Sequence, residues 1–370
     1  MKVALISPSL ESEKALSKIS LYLVNETRKK GVEIDLINYT AGSVKSFFKI
    51  VPKLKEYDII HMQHEYNLLG LYGLPFFLVL MCLFMLNKKL IIHMHTVLSN
   101  RVTMDKSILK SIFRKLLYFF QNRMINAVSD KVLVNEQFYK DILLKEYKFK
   151  KSKIDIFPQG VIHDAKIISK SKAKKELGLK GNVYLMIGNL TEDVGADIII
   201  NQADKIGKTI LFATNPKGVN VRSKEKTKNY INLNKEIVRK NNFEKFVRFD
   251  LREIPDNLWW KYFSAADLIL QAYRGGIRSG VFSDAMASKT PVIASNISFF
   301  REMAKKYGSL KIAENENDYS KIIKEAMKKE NYKKMVKECK KYLKDNKWSV
   351  IAEKYKKLYL SLIDIKINNQ

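Results

Sequence analysis

The chain has 370 residues, 46% of them apolar, with only 15 Gly and 7 Pro. That length exceeds one ordinary core, and the composition excludes a disordered, collagenous or fibrous protein. Lys and Arg total 67 against 38 acids, a net charge of +29. The two cysteines, Cys82 and Cys339, exclude a disulfide scaffold or a CxxC zinc module and fit a reducing intracellular setting.

The opening KVALISP (2–8) is β-branched and apolar. It predicts a strand, not the charged n-region and apolar core of a signal peptide. A helical period over 13–30 stops at Gly31, and 32–39 predicts a second strand. Such apolar runs in a βαβ order imply a parallel sheet buried on both faces. The alternation continues with strands at 57–63, 90–96 and 131–134 and helices at 75–86 and 107–127. Asn135 is placed to cap a helix running to about Leu144. The lysine-rich stretch 145–153 leads to a short strand at 154–157 and the turn Pro158-Gln159-Gly160.

The stretch 68–86 carries no charge, and its 19 residues approach a membrane span. Gly70, Gly73 and Pro75 interrupt its first third. The clean helical part, 75–86, rises only about 18 Å against a hydrocarbon core of roughly 30 Å. A soluble crossover helix between two strands is therefore expected, one whose outer face could touch lipid, with a true span as the alternative.

A polar run at 163–175 reads as a join between halves, and a second alternating series follows. Its strands are predicted at 182–188, 209–214, 246–250, 267–273 and 291–295. The pattern draws an α/β protein of two tandem, doubly wound Rossmann-like domains facing across a cleft, with ligands at the carboxyl ends of the strands.

The basic charge is mostly lysine, with only 11 Arg. Base-edge and planar phosphate recognition favour Arg, so a nucleic-acid partner is not expected. Attraction to an anionic membrane surface and plain compositional bias both remain open.

Four of the five histidines stand at two strand ends, His61 and His64 in HMQHEY (61–66), His93 and His95 in IIHMHT (91–96). Positions i and i+2 share a strand face, so His93 and His95 point the same way. Ligand contact, catalysis and loop-tethering hydrogen bonds are each open to them. No HExxH order and no suitably spaced Asp or Cys accompany them, so no metal site is expected.

In the second half, Gly188-Asn189 ends a strand and Gly195 opens the next helix. Further on, Tyr273-Arg274-Gly275-Gly276-Ile277-Arg278-Ser279-Gly280 joins a strand to a helix. Glycine lets backbone N–H groups approach an anion, and a helix N-terminus adds about half a positive charge. Arg274 and Arg278 flank that terminus and could fork onto phosphate oxygens, while Asp284, a turn inward, could accept two ribose hydroxyls.

Several segments, taken in order, resemble the GT-B fold glycosyltransferases of the large retaining family 4 (glycosyl transferases group 1). YDIIHMQHEYNLLGLYG (57–73) and HMHTVL (93–98) resemble its first-domain strand ends. FPQGV (157–161) resembles its Pro-His-Gly-Val turn, and DAMASKTPVIAS (284–295) its Glu-Ala-Met-Ala-x-Gly-x-Pro-Val-Ile-Ala-Ser. NNFEKFVRFDLREIPDNLWWKYFSAADLILQAYR (241–274) is similar to the stretch before its donor site, and WSVIAEKYKKLYLSLI (348–363) to its closing helix.

The resemblance implies a GT-B enzyme of the hexosyltransferase type, moving a sugar from a nucleotide-sugar to a glycan or lipid-linked acceptor. Retention of configuration is implied, with no metal and no cofactor beyond the donor. It implies an acceptor domain at 1–165, a nucleotide-sugar domain at 166–345, and a helix at 346–370 crossing back to the first. His95 would face the donor sugar, with His64 among the substrate contacts. The amides of Ser279, Gly280 and Val281 would meet the diphosphate, with Gly188 and Asn189 nearby, and Asp284 would hold the ribose. A cytoplasmic protein, peripheral on the inner face of the membrane, fits such acceptors. The family's Arg and Lys are replaced here by Asn189 and Val194, and its paired glutamates by Gly276 and Asp284. A non-catalytic nucleotide- or glycan-binding relative is the alternative.

Overall fold

Apolar runs become strands in two separate sheets. The computed structural model describes residues 1–105, 107–161, 165–216, 221–275 and 279–367. The chain forms two units, Met1–Gly160 with Asn346–Gln370, and Val161–Asp345.

The first unit contains β1 (Lys2–Pro8), α1 (Lys14–Arg28), β2 (Glu33–Tyr39), α2 (Val44–Ile50), β3 (Ile59–His64), α3 (Phe76–Met85), β4 (Lys89–Met94), α4 (Ile108–Val128), β5 (Lys131–Val134), α5 (Gln137–Lys145) and β6 (Ile154–Ile156). Its sheet is parallel, in the order β2-β1-β3-β4-β5-β6. All six residues of β3 are buried although three are His or Gln, and not every polar atom among them finds a partner. Helix α1 starts where the Glu13 carboxylate accepts the Ala15 and Leu16 amides at 3.2 and 2.6 Å.

The second unit contains α6 (Lys170–Glu176), β7 (Val183–Ile187), α7 (Ala196–Ile200), α8 (Ala203–Ile206), β8 (Thr209–Thr214), α9 (Val221–Lys240), β9 (Val247–Leu251), α10 (Asp256–Ala265), β10 (Leu268–Gln271), α11 (Gly280–Ala287), β11 (Val292–Ser295), α12 (Ser298–Lys306), β12 (Leu310–Ala313), α13 (Tyr319–Ala326) and α14 (Lys329–Asp345). Its sheet is also parallel, in the order β12-β11-β10-β7-β8-β9. The edge strand β12 is not among the predicted elements. Its four residues include Lys311, which pairs with Glu325 at 3.0 Å, so no apolar run marks it. At the amino end of the sheet Asp267 is held by Lys170 at 2.8 Å, Lys174 at 2.7 Å and the Val183 amide at 2.8 Å.

The last helix, α15 (Trp348–Ile367), belongs to the first unit. Trp348, Ile351, Tyr355, Leu358, Tyr359 and Leu362 recur at helical spacing and are buried with Val3, Leu5, Ile59, Ile91 and Leu133 of the sheet. Each such side chain contributes about 1.5–3 kcal/mol by leaving water. Trp348 stacks on Tyr22 of α1, centroids 6.0 Å apart, and lies where a Cβ on Gly160 would come within 2.2 Å of its ring. Cys339 is fully buried and Cys82 half-buried; burial pushes the Cys339 thiol up to about 12.

Candidate active site

In the second unit the ends of the paired strands β7 and β10 converge. After β7 the chain turns at Gly188, whose φ of +114° favours glycine, and a Cβ there would meet Val281 in the first turn of α11 at 3.8 Å. Asn189 follows, exposed to solvent. Gly195 then closes the loop with φ +69°, packed so that a Cβ would strike the Ala272 carbonyl oxygen at 2.1 Å. Gly188, Val281 and the end of β10 are thus one neighbourhood.

Ser279 caps α11. Its Oγ accepts the Phe282 amide at 3.3 Å and Gln271 Nε2 at 2.7 Å, and shares a hydrogen bond with Tyr273 Oη at 3.1 Å. The cap leaves the first amides of the helix, including those of Gly280 and Val281, without intrahelical acceptors. Gly280 is exposed and Val281 half-exposed, so this end of the helix dipole faces outward. Asp284, one turn along and half-buried, accepts a hydrogen bond from Trp259 Nε1 of α10 at 3.1 Å. Arg278 and Gly276 lie outside the described residues.

Arg274 departs from the expected geometry. Its guanidinium forks onto Asp197 of α7, at 2.9 and 2.5 Å, and also donates to the Glu192 carbonyl at 2.9 Å. Its own amide reaches the Asp193 carbonyl at 2.9 Å. The fork that could take a phosphate is here taken by a carboxylate, and Arg274 ties the loop after β10 to the loop after β7. Burial alone raises the Asp197 carboxyl, but hydrogen bonds from Arg274 and Tyr230 overcome it and hold the carboxyl below its usual range. Neither Asp197 nor Tyr230 is suggested by the sequence, because both come from elsewhere in the chain, 77 and 44 residues before Arg274.

In the first unit, His61, Gln63, His93 and His95 share the sheet face that α15 covers. His93 and His95 stack with centroids 4.4 Å apart. Asn135 does not cap α5, which starts one residue later; its amide lies between the two rings, 3.2 Å from His93 Nε2 and 3.5 Å from His95 Nδ1. Tyr355 Oη is 3.0 Å from His93 Nδ1, and His95 Nε2 bonds Gln63 Oε1. One assignment of protons satisfies the row. Tyr355 donates to His93, His93 to Asn135, Asn135 to His95, and His95 to Gln63. In that tautomer His95 is a neutral ring donating through Nε2. These residues, with Pro158 and Trp348, line a cavity of about 10 Å3, room for one water at most.

His64 lies on the opposite sheet face, stacked on Phe76 of α3 with centroids 4.2 Å apart, and its Nε2 has no partner. Burial lowers its pKa to about 3. The structure gives His64 a packing position against α3, away from the His95 row, in contrast to the substrate contact expected from the sequence. Among the described residues no group of three or more His, Cys, Asp or Glu is arranged to hold a metal ion.

Comparison with known proteins identifies the fold and the family. Residues 2–165 match the model of Glycosyltransferase Family 4, and residues 168–345 that of Glycosyl transferases group 1. No curated protein matches the chain significantly. Among solved structures, Anabaena Alr3699/HepE in complex with UDP aligns with a TM-score of 0.73 at 14% identity, covering 98% of this chain and 100% of that one. The same protein in complex with UDP-glucose aligns at 0.69, with the same identity and coverage. Sucrose-phosphate synthase from Thermosynechococcus elongatus gives 0.71 at 16% identity, covering 98% and 99%. Two parallel, helix-flanked sheets, the two matched models and the end-to-end structural likeness together make this chain a divergent GT-B fold glycosyltransferase related to family 4.

Proposed function

We propose that the protein transfers a hexosyl group from a nucleoside diphosphate sugar to a glycan or lipid-linked acceptor, with retention of configuration. The observation that carries this reading is the capped first turn of α11 beside Gly188, with Asp284 held by Trp259. Negative charge develops on the leaving diphosphate, and preorganised amides stabilise such charge without reorganising. In this reading Ser279, Gly280 and Val281 present those amides, and Asn189 and Arg278 add polar contacts. Asp284 accepts the ribose hydroxyls, and His95, oriented by Gln63 and Asn135, is the group that meets the donor sugar. Arg274 acts by positioning the loop.

Calorimetry with UDP and UDP-glucose tests the site. Asp284→Asn and Arg278→Ala are each expected to weaken binding about tenfold, the loss of one charge-assisted hydrogen bond. Unchanged affinity in both variants would remove these residues from the site. UDP release that depends on added acceptor then tests turnover. The second reading, a non-catalytic nucleotide- or glycan-binding relative, is favoured by one observation, that Asp197 occupies the Arg274 fork while Asn189 and Val194 supply no cation. Nucleotide binding without acceptor-dependent release would select it.

Among the described residues no helix is long and apolar enough to cross a membrane. The charge of +29 supports a peripheral position on an anionic membrane surface, and we place the protein at the cytoplasmic face.

A further inference from the structure

Helix α4 is built inside out. Its buried side chains include Ser111, Gln121, Asn122 and the hydroxyl-bearing Tyr118. Each makes internal hydrogen bonds: Gln121 Nε2 donates to the Gly73 carbonyl at 3.0 Å, although its Oε1 has no partner, Asn122 pairs with Tyr66 Oη at 3.0 Å, and Ser111 Oγ accepts the Met104 amide at 3.0 Å. Leu117 and Ile125 are buried with them, but most of the helix's apolar residues point away. Ile108, Leu109, Ile112, Phe113, Leu116 and Phe120 are all at least half exposed, Leu109 by 79%.

Helix α3 repeats the feature beside it. Leu74, Leu78, Met81 and Met85 follow at spacings of four, three and four along one exposed stripe, and Met85 is 77% exposed. The two helices are joined side by side. Gln121 of α4 bonds Gly73 in the turn that leads into α3, and Arg114 lies over the Tyr72 ring of the same turn, 5.4 Å from its centroid. Together they present an apolar surface far larger than the scattered exposed side chains of an ordinary monomer. The charge around it is predominantly basic, although Lys89, Arg101 and Arg114 are paired with Asp130, Glu146 and Asp105. Residues 67–128 contain eight Lys or Arg and a single acid, Asp105, and Lys110 and Arg123 stand exposed on α4 itself.

We propose that the paired outer faces of α3 and α4 seat the first unit on an anionic phospholipid bilayer. The apolar side chains enter the headgroup–acyl boundary and the surrounding cations engage lipid phosphates, the composition by which interfacial helices bind. Helix α3 has 10 residues, about 15 Å in length, so it lies in the interface and does not cross it. This surface gives the lipid partner proposed above a location, and it shares no residue with the proposed nucleotide site, whose contacts belong to the second unit.

Sedimentation with vesicles tests it. Wild type is expected to pellet with vesicles of 70% phosphatidylcholine and 30% phosphatidylglycerol and to partition far less onto phosphatidylcholine alone. Phe113→Glu/Leu116→Glu alters two exposed positions and should keep wild-type circular dichroism while losing at least tenfold in partitioning. Met85→Glu, on the other helix, should lose binding in the same direction. Lys333→Gln/Lys337→Gln, exposed on α14, changes the net charge by the same two units and should stay within about twofold. Wild-type binding by Phe113→Glu/Leu116→Glu overturns the proposal, as does equal binding to neutral vesicles. A wild-type dimer that this variant converts to monomer, seen by ultracentrifugation without lipid, would assign the face to a second copy instead. UDP affinity, measured on the same preparations, should not change; its absence throughout would count against the proposed transferase and leave the docking result intact.

Discussion

His64 offers a quantitative test of the buried-histidine geometry. Its ring lies between Phe76, 4.2 Å away, and the edge of Tyr66, 5.3 Å away, with burial lowering its pKa from 6.5 to about 3. In the unfolded chain the same imidazole takes up a proton near pH 6.5. Between those two values the unfolded state binds one more proton than the native state, so stability falls as the pH falls. Each pH unit costs about 1.4 kcal/mol, hence about 2 kcal/mol from pH 6.5 to pH 5. His64→Phe keeps a ring against Phe76 and removes a buried nitrogen that has no partner. It should therefore be neutral or stabilising at pH 7.5 and shed about 2 kcal/mol of the acid loss by pH 5. His61, also lowered well below its usual value by burial, contributes equally to both proteins. Urea unfolding of the first unit can be followed through Trp348 in a Trp259→Phe/Trp260→Phe background, which leaves it the sole indole. Identical pH slopes for wild type and His64→Phe would refute the argument.

Two further substitutions probe the second unit. Gly195→Ala places a methyl against the Ala272 carbonyl at a left-handed backbone position; a loss of about 2–3 kcal/mol is expected by thermal unfolding, and a neutral result would show that the loop is loosely held. Asp267→Asn leaves Lys170 and Lys174 without their carboxylate and should cost about 3–5 kcal/mol. Burial raises the Asp267 carboxyl, but the two lysines lower it further, below the usual range. Its contribution is therefore present above about pH 4 and lost as the pH falls through the lowered value. The variant's stability should converge on wild type in that acid range; a constant difference at all pH values would count against it.

Most strands were legible because parallel sheets covered on both faces demand apolar runs; β2, β6 and β9 keep enough apolar residues around their charged ones to be seen, and β12 does not. Helix α4 was legible in extent, since 107–127 marks it closely, but not in orientation. A 3.6-residue period shows that two faces differ without saying which faces inward, and here Gln121 and Asn122 go in. The histidine row was readable as shared strand faces, whereas its partners Tyr355 and Tyr359 arrive from a helix some 260–300 residues later. Asn135 misled because an Asn before a helix commonly caps it, and two imidazoles competed successfully for its amide. Arg274 looked available for an anion because its partner, Asp197, is distant in sequence.

The placement of α15 has a consequence for how the protein is made. The first unit lacks its covering helix until the whole of the second, roughly 185 residues, has been synthesised. At about 5–20 residues per second that interval is about 10–40 s. Throughout it, the groove lined by Leu23, Ile91 and Phe157 stands open to solvent, with His61 and His93 lacking the hydroxyls that later reach them. The unit that leaves the ribosome first is thus the last to finish, and its uncovered groove is the surface a chaperone would shield.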